Sequence, residues 1–232
     1  MNLAFRIAPG HLARSPAPVP AAPACRAGTR RKLEAFGTLL LLLSAWQAGA
    51  ALYIPAKAWL AQRLLERAWV HTVAGEADVK PWPWADTWPV ARLHAPSHRA
   101  NLIVLDGASG RTLAFAPALA SGSAGMGVAG LTVIAGHRDT HFRFLRDLAI
   151  GDVLELEDAR GTRERFVVTL TEIVDSRMSG LSLAAGRRAL VLVTCFPFDA
   201  VVSGGPMRYV VTAEPAESLD PMVAGMSVPA AH

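Results

Sequence analysis

Apolar residues are most concentrated near the start of the chain. Residues 36–54 carry no charge, and Leu39 to Leu43 form an unbroken row. This length is about that of an α-helix that crosses the hydrocarbon core of a bilayer. Four basic residues stand just before the segment, at positions 26 and 30–32, against one acidic residue, Glu34. The positive-inside rule therefore predicts a membrane anchor with the N-terminus in the cytoplasm and the residues after 54 outside.

A cleaved signal peptide is the alternative interpretation of this segment, with Ala48-Gly49-Ala50 as the A-x-A cleavage site. Two features favour a retained anchor. The leader before the apolar residues has about thirty-five residues, which is long for a signal peptide, and helical spacing continues directly after the apolar block. Both interpretations export the main domain.

The pattern after the anchor has the period of a helix. Residues 56–70 place Trp59, Leu60 and Leu64 among charged residues at helical spacing, which predicts an amphipathic helix that rises from the membrane or packs on the domain. Residues 81–89 follow, and their three Trp and three Pro fit neither a regular helix nor a central strand. We expect these Trp to pack on the outside of a barrel, with stacking on a ligand as the alternative.

From Val90 onward, short apolar runs alternate with turn signals, a pattern typical of an all-β sandwich or barrel. A helix is predicted over Thr140–Leu148, with Thr140 as its N-cap. The predicted strands are Val90–His94, Asn101–Asp106, Thr112–Phe115, Leu131–Ala135, Asp152–Glu157, Thr162–Asp175, Ala189–Thr194 and Met207–Ala213.

The charge is distributed unevenly along the chain, and this distribution changes which partners the net charge predicts. The formal net charge is +4, but residues 1–35 hold six basic residues and one acidic residue, so the remaining residues sum to −1. The basic charge therefore serves membrane topology and does not predict a nucleic-acid surface. The predicted organisation is a disordered basic cytoplasmic tail (1–35), the anchor (36–54), a juxtamembrane amphipathic helix and linker (55–80), a β-barrel domain (81–214) and a loose C-terminal tail (215–232).

The anchor places the two cysteines, Cys25 and Cys195, on opposite sides of a membrane, where they cannot pair. Exported proteins normally use cysteine in disulfides, so a lone exported thiol requires a reason. Cys195 follows the β-branched run 189–194, at the point where a strand passes into a loop. A nucleophile can be held there and still meet a substrate, whereas an inert buried thiol is equally compatible with the spacing.

A cysteine nucleophile needs a proton carrier and a donor for the developing oxyanion. His137 follows the apolar strand 131–135 just as Cys195 follows its own strand, so both can emerge at one rim of a barrel. Arg208 lies in the next strand, which can return antiparallel beside Cys195, and its guanidinium could donate to an oxyanion. The plainer interpretations are an exposed strand-end histidine and a salt-bridged surface arginine.

Zinc binding is disfavoured by the residues around the histidines. His137 and His141 have the i, i+4 spacing of a zinc-binding helix, but Arg138 stands where the H-E-x-x-H motif has its general base. Between His94 and His98, Pro96 prevents alignment on one helix face. No metal and no other cofactor is predicted.

Three motifs resemble those of one family, the sortases, which are membrane-anchored cysteine transpeptidases of bacteria. Residues 191–195, Val-Leu-Val-Thr-Cys, match the family's T-L-x-T-C signature except that Val191 replaces the usual Thr. Gly136-His137 matches the strand-end histidine, and Arg208 before Tyr209-Val210-Val211 matches the arginine strand. The resemblance covers roughly residues 85–214. The stretches 81–93, 136–148 and 195–199 look most like the class found in Gram-negative proteobacteria.

The resemblance implies an eight-stranded β-barrel with short peripheral helices, preceded by the N-terminal transmembrane helix. The domain would stand on the periplasmic face of the inner membrane and cleave an L-P-x-T-G-like sorting signal of an exported protein. Cys195 would form a thioester, His137 would transfer protons, Arg208 would hold the oxyanion, and an amine would accept the acyl group. Two alternatives stay open: an extracytoplasmic cysteine peptidase that uses water as acceptor, and a non-enzymatic membrane-tethered β module with an inert thiol.

Overall fold

The computed structural model describes residues 26–178, 187–200 and 204–219. Within these ranges the chain forms a long N-terminal helix, a closed barrel of eight strands and a few short helices. The helices are α1 (Arg26–Val73), α2 (Gly110–Leu113) and α3 (Ala216–Leu219), with 3-10 turns at Pro96–His98 and Arg143–Arg146. The strands are β1 (Pro89–Ala95), β2 (Ala100–Asp106), β3 (Ala118–Leu119), β4 (Leu131–Ala135), β5 (Val153–Asp158), β6 (Arg163–Asp175), β7 (Ala189–Cys195) and β8 (Met207–Pro215). The prediction of an eight-stranded barrel with few helices is confirmed.

The barrel closes in the order β1-β2-β3-β4-β7-β8-β6-β5. Most neighbours are antiparallel, but β2 pairs with β3 and β4 pairs with β7 in parallel. Parallel pairing places the C-terminal ends of β4 and β7 at the same rim of the barrel. The return strand β8 lies antiparallel on the other side of β7, so its N-terminal end meets that rim as well.

The strand β7 is buried on both faces, which explains its unbroken apolar sequence. On one face Leu190 and Leu192 belong to the barrel core, together with Phe142 and Leu154. On the other face Val191 packs against Val133 of β4 and Val210 of β8. Fully burying side chains of this size contributes about 1.5–3 kcal/mol each. The strand that carries Cys195 is therefore one of the most firmly held parts of the barrel.

The long helix α1 contributes to two compact units, the residues up to Tyr53 and the residues from Ile54. In the first unit, apolar side chains such as Leu41 and Trp46 are exposed, and by length and composition α1 could cross a membrane. In the second unit, residues 54–73 pack on the barrel through Leu65 and Trp69, which are buried against Leu105 and its neighbours. The packed face differs from the predicted one, because Leu65 and Trp69 are buried whereas Trp59 and Leu60, which carried the amphipathic pattern of residues 56–70, are largely exposed.

One predicted strand is wrong. Residues Thr112–Phe115 do not form a strand, because the Ser109 side chain accepts a hydrogen bond from the Thr112 backbone N–H at 3.1 Å and begins the short helix α2. The third strand is instead the two-residue β3. The helix predicted over Thr140–Leu148 is reduced to the 3-10 turn at Arg143–Arg146.

The two ends of the chain differ in part from the expected tails. Helix α1 begins at Arg26, inside the segment expected to be disordered, and Arg30 pairs there with Glu34 at 3.0 Å, one helical turn apart. Residues 1–25, with Cys25, lie outside the described residues. At the other end α3 occupies the start of the expected loose tail, and residues 220–232 also lie outside the described residues.

Candidate active site

The structure brings the three predicted site residues to the same end of three neighbouring strands. In the parallel pair of β4 and β7, Ala135 lies opposite Val193, and His137 and Cys195 each follow two positions later. In the antiparallel pair of β7 and β8, Cys195 lies directly opposite Arg208. Residues opposite each other in a ladder project from the same face of the sheet, so Cys195 and Arg208 share a face.

Hydrogen bonds continue the strand pairing past the end of β4. The Gly136 N–H donates to the carbonyl of Val193 at 3.1 Å. The Thr194 hydroxyl then donates to the carbonyl of Gly136 at 2.7 Å. Since Thr194 is buried, this bond is shielded from water and fixes the residue before His137 against the residue before Cys195.

The exposure of the three residues suits contact with a substrate. Cys195 is half-buried and makes no disulfide, His137 is exposed, and Arg208 is half-buried. A fully buried thiol would be inert, whereas Cys195 is only half-buried at the mouth of the barrel.

The Arg208 guanidinium is held by the loop that precedes β8. Its Nη1 donates to the carbonyls of Gly205 at 2.8 Å and Met207 at 2.9 Å. The nearby carboxylate of Asp175 is held by Arg177, whose hydrogen bonds lower the pKa of Asp175 to about 2, with a smaller contribution from the charge of Arg208. These two bonds occupy Nη1 of Arg208, while Nε and Nη2 are further donors of the same planar guanidinium.

Aromatic side chains close the barrel core beside Cys195, a feature that the sequence analysis did not assign to the site. The Tyr209 ring centroid lies 5.2 Å from that of Phe198 and 6.4 Å from that of Phe196. Phe198 and Tyr209 pack against the core, and the Arg146 guanidinium lies 5.5 Å from the Phe198 ring centroid. The sequence signal that could have assigned these rings to the site is their nearness along the chain, since Phe196 and Phe198 follow Cys195 within three positions and Tyr209 follows Arg208.

A second feature missed from the sequence is the burial of Arg138. Its side chain is 5% exposed, and its Nη2 donates to the carbonyl of Ala200 at 3.0 Å, while Nε contacts Asp139 Oδ1 at 3.4 Å. The bond to Ala200 joins the loop after His137 to the loop after Cys195. A buried guanidinium must keep its partners, because leaving a charge uncompensated costs several kcal/mol. Arg138 therefore ties together the two loops that flank the site.

His141 lies close enough to His137 to respond to its charge. Residues 138–142 form turns and not a helix, and the Phe142 N–H donates to the His137 carbonyl at 3.0 Å. Burial lowers the pKa of His141 below 6.5, and the charge of His137 lowers it further, while a hydrogen bond with the Phe115 backbone acts in the opposite direction. This segment thus places a mainly neutral imidazole next to the candidate proton carrier.

The His141 environment leads to a titration prediction. His141 should titrate below 6.5 in the folded chain, and its pKa should rise in His137→Gln, because the neighbouring positive charge is removed while burial remains. Since the folded pKa is below the unfolded value, protonation of this site favours the unfolded chain, so stability is lost as the pH falls from about 6.5 through the folded pKa. Imidazole NMR titration of both proteins measures the shift. A His141 pKa that is unchanged in His137→Gln would contradict the conclusion that the charge of His137 acts on His141.

Gly136 leads to a packing prediction. A Cβ at this position would lie 2.7 Å from two ring atoms of the fully buried Phe142, so Gly136→Ala should lower the free energy of unfolding by about 1–3 kcal/mol. Gly125→Ala is the matched control, since its Cβ would meet nothing within 4 Å. Denaturant titration compares the two variants. Equal stability of both would show that the close approach of Phe142 does not constrain the residue before His137.

Comparison with known proteins identifies the family to which this geometry corresponds. The family model of the sortase domain matches residues 93–216. The sortase D of Bacillus subtilis (strain 168) is 37% identical over 83 residues, which cover 35% of this chain and 41% of that protein. The chain therefore matches about two fifths of the length of this curated relative.

Solved structures show the same fold at low sequence identity. The sortase A of Corynebacterium diphtheriae is 22% identical, with 67% of this chain and 84% of that chain covered and a TM-score of 0.50. A sortase D5 transpeptidase of Clostridium perfringens is 16% identical, with 67% and 98% covered and a TM-score of 0.50. The family-model match extends over more than half of the chain and includes the ends of β4, β7 and β8. This chain belongs to the sortase family.

Proposed function

We propose that the chain is a membrane-anchored cysteine transpeptidase that cleaves an L-P-x-T-G-like C-terminal sorting signal of an exported protein. The observation that carries the proposal is the convergence of Cys195, His137 and Arg208 at one end of β4, β7 and β8. A nucleophile, a proton carrier and a fixed cation at one rim are the parts that acyl transfer requires. Membership of the sortase family supports the same reaction class.

The first half of the reaction forms a thioester. The Cys195 thiolate attacks the carbonyl carbon before the scissile bond, and the negative charge that develops on the oxygen is held by Nε and Nη2 of Arg208. When the tetrahedral intermediate collapses, the carbon–nitrogen bond breaks and His137, as imidazolium, gives its proton to the leaving amine. The thiolate and the imidazolium must be present together, so only the fraction of the protein in that charge state reacts.

The second half returns the site to its starting state. An amine nucleophile attacks the thioester, neutral His137 takes a proton from that amine, and the carbon–sulfur bond breaks to release Cys195 as thiolate. Proton transfer by a positioned side chain typically contributes about 10²–10⁴-fold to the rate. Water in place of the amine would make the same site a cysteine peptidase, so the acceptor decides between the two activities.

The location of the protein follows from the apolar part of α1. Residues 36–54 would anchor the chain in the cytoplasmic (inner) membrane, with the barrel on the periplasmic face, because the basic residues precede the anchor. The stretches 81–93, 136–148 and 195–199 support the class found in Gram-negative proteobacteria. The curated relative comes from a Bacillus, so this class rests on those stretches alone.

Trapping of the acyl-enzyme tests the proposed chemistry. Incubation of the full chain with an L-P-x-T-G peptide should give an acyl adduct on Cys195 in mass spectrometry, and Cys195→Ala should give none. Addition of an amine should convert the adduct into a peptide–amine product. Hydrolysed peptide alone, in the presence of amine, would assign a peptidase. No adduct, together with resistance of Cys195 to alkylation, would favour the non-enzymatic module.

Substitution of Arg208 tests the oxyanion donor. Arg208→Met should lower kcat by about 10²–10³-fold, the usual effect of losing one oxyanion donor. Arg208→Lys should recover only part of this loss, because an ammonium cannot keep the bonds to Gly205 and Met207 and also present a planar fork. The exposed Arg177, replaced by Lys, is the control for a nearby change of the same kind. Unimpaired turnover by Arg208→Lys would count against Arg208 as the donor.

A further inference from the structure

An apolar groove lies on the barrel unit, and its lining residues do not include Cys195, His137 or Arg208. Its volume is about 520 Å³, and α1 forms one wall with Lys57, Leu60 and Leu64. The segment that connects α1 to β1 forms the other wall with Trp82 and Trp84. The groove is built firmly, since the Trp82 ring centroid lies 4.8 Å from that of Phe115 and Gln62 Nε2 donates to the Phe115 carbonyl at 2.8 Å.

The prediction that the Trp residues of segment 81–89 pack on the outside of the barrel is wrong for Trp84. Its side chain is 82% exposed, whereas Trp82 and Trp88 are half-buried. On α1, Trp59 and Leu60 are also largely exposed, at 61% and 51%. Exposed apolar surface of this kind, beside a groove, is typical of a docking surface. We call Trp59, Leu60, Lys57, Trp84 and Arg111 the tryptophan surface.

The charges on the tryptophan surface favour an anionic partner. Lys57 and Arg111 line the groove, and the guanidinium of Arg63 lies 5.3 Å from the Trp59 ring centroid. Asp86 is the acid among the lining residues, and its ion pair with Arg111 is well exposed and therefore weak. Tryptophan together with basic side chains is the combination enriched where proteins meet lipid headgroups.

The chain itself limits how far this surface can lie from the membrane. Lys57 stands three residues after Ile54, the last residue of the apolar segment, and Leu64 stands ten residues after it. Residues 54–73 are helical, so these positions lie about 5 and 15 Å along the helix from Ile54. The headgroup region on each side of a bilayer extends about 5–8 Å beyond the hydrocarbon core. Lys57, the residue that opens the groove, thus lies within reach of the headgroups.

We propose that the tryptophan surface docks on the membrane that holds the apolar segment, with anionic phospholipid headgroups at Lys57 and Arg111 and with Trp84 at the headgroup level. The proposal rests on the anchor of the proposed function and is independent of the chemistry at Cys195. It gives α1 a second role, because the same helix that enters the bilayer also supplies one wall of the surface that lies against it.

Depth-dependent quenching tests this docking in the full chain. Cys25→Ser and Cys195→Ala remove the native thiols, so catalysis does not enter the measurement. Single cysteines then carry an NBD fluorophore at Pro83, beside Trp84, at Ile150, which is exposed elsewhere on the barrel, or at Leu43 in the apolar segment. Each protein is placed in nanodiscs of anionic phospholipid with brominated acyl chains. Quenching at position 83 should exceed that at position 150 severalfold, because a probe at the membrane interface meets the brominated lipid.

Two variants separate the contributions to docking. Trp84→Gln should remove most of the quenching at position 83, and Lys57→Glu with Arg111→Glu should reduce the docked fraction by about tenfold, since each basic residue near an anionic surface contributes to binding. Arg165→Glu is the matched charge control, because Arg165 pairs with Glu155 at 3.1 Å, as Arg111 does with Asp86, but lies on β6.

The label at position 43 distinguishes the failure of docking from the failure of the anchor. Quenching at 43 together with equal, weak quenching at 83 and 150 would overturn the docking proposal and leave the anchor intact. No quenching at 43 would overturn both. An NBD emission at 83 that is shifted to the blue but insensitive to brominated lipid would mean that position 83 lies against protein and not lipid, and would also overturn the proposal.

Discussion

The parallel pairing of β4 with β7 is the constraint on which the site depends. His137 and Cys195 are separated by fifty-eight positions, yet each lies two residues beyond a matched pair in the ladder, Ala135 and Val193. A shift of one residue in this register would turn the side chains of β7 to the opposite faces of the sheet. The apolar contacts on both faces of β7 prevent that shift, because Leu192 and Val191 would exchange their surroundings. Core packing therefore sets the geometry of the polar rim.

Much of the fold, and the convergence of the three candidate residues at one rim, could be predicted from the sequence, because the required signals are local. A β-branched run that ends in cysteine, and another that ends in Gly-His, predict strands that end at a rim. The third strand could not be predicted in this way. Residues Thr112–Phe115 have an apolar pattern that suits a strand, but the Ser109 cap begins α2. The two residues of β3 form a strand only because Leu105 and Ala135 pair with Ala118 from both sides.

The residues that complete the rim depend on contacts that no local pattern reports. Arg138 has its backbone-carbonyl partner sixty-two positions away, at Ala200. In the sequence this arginine is one more charged residue after a histidine, and solvent exposure is the ordinary expectation for it. Its burial follows from the barrel, which brings the two loops together and leaves a polar carbonyl that needs a donor. The position of Phe142 likewise could not be predicted from a local pattern. Its ring is buried against Gly136 and limits that position to glycine.

A closed barrel has no room for a reactive thiol inside, and this decides how the site must be supported. The interior positions of β7 are filled by Leu190 and Leu192, so a nucleophile can stand only at the strand end. Past that end the strand pairing continues only through the bonds of Gly136 to Val193 and of Phe196 to Met207 among the described residues, and the loops need further fixation. The Thr194 hydroxyl, the Arg138 guanidinium and the aromatic contacts of Tyr209 supply it, each linking one loop to another element. Side-chain hydrogen bonds and ring packing thus hold the rim beyond the ends of the strands. This support lets Cys195 be both accessible to solvent and fixed in position.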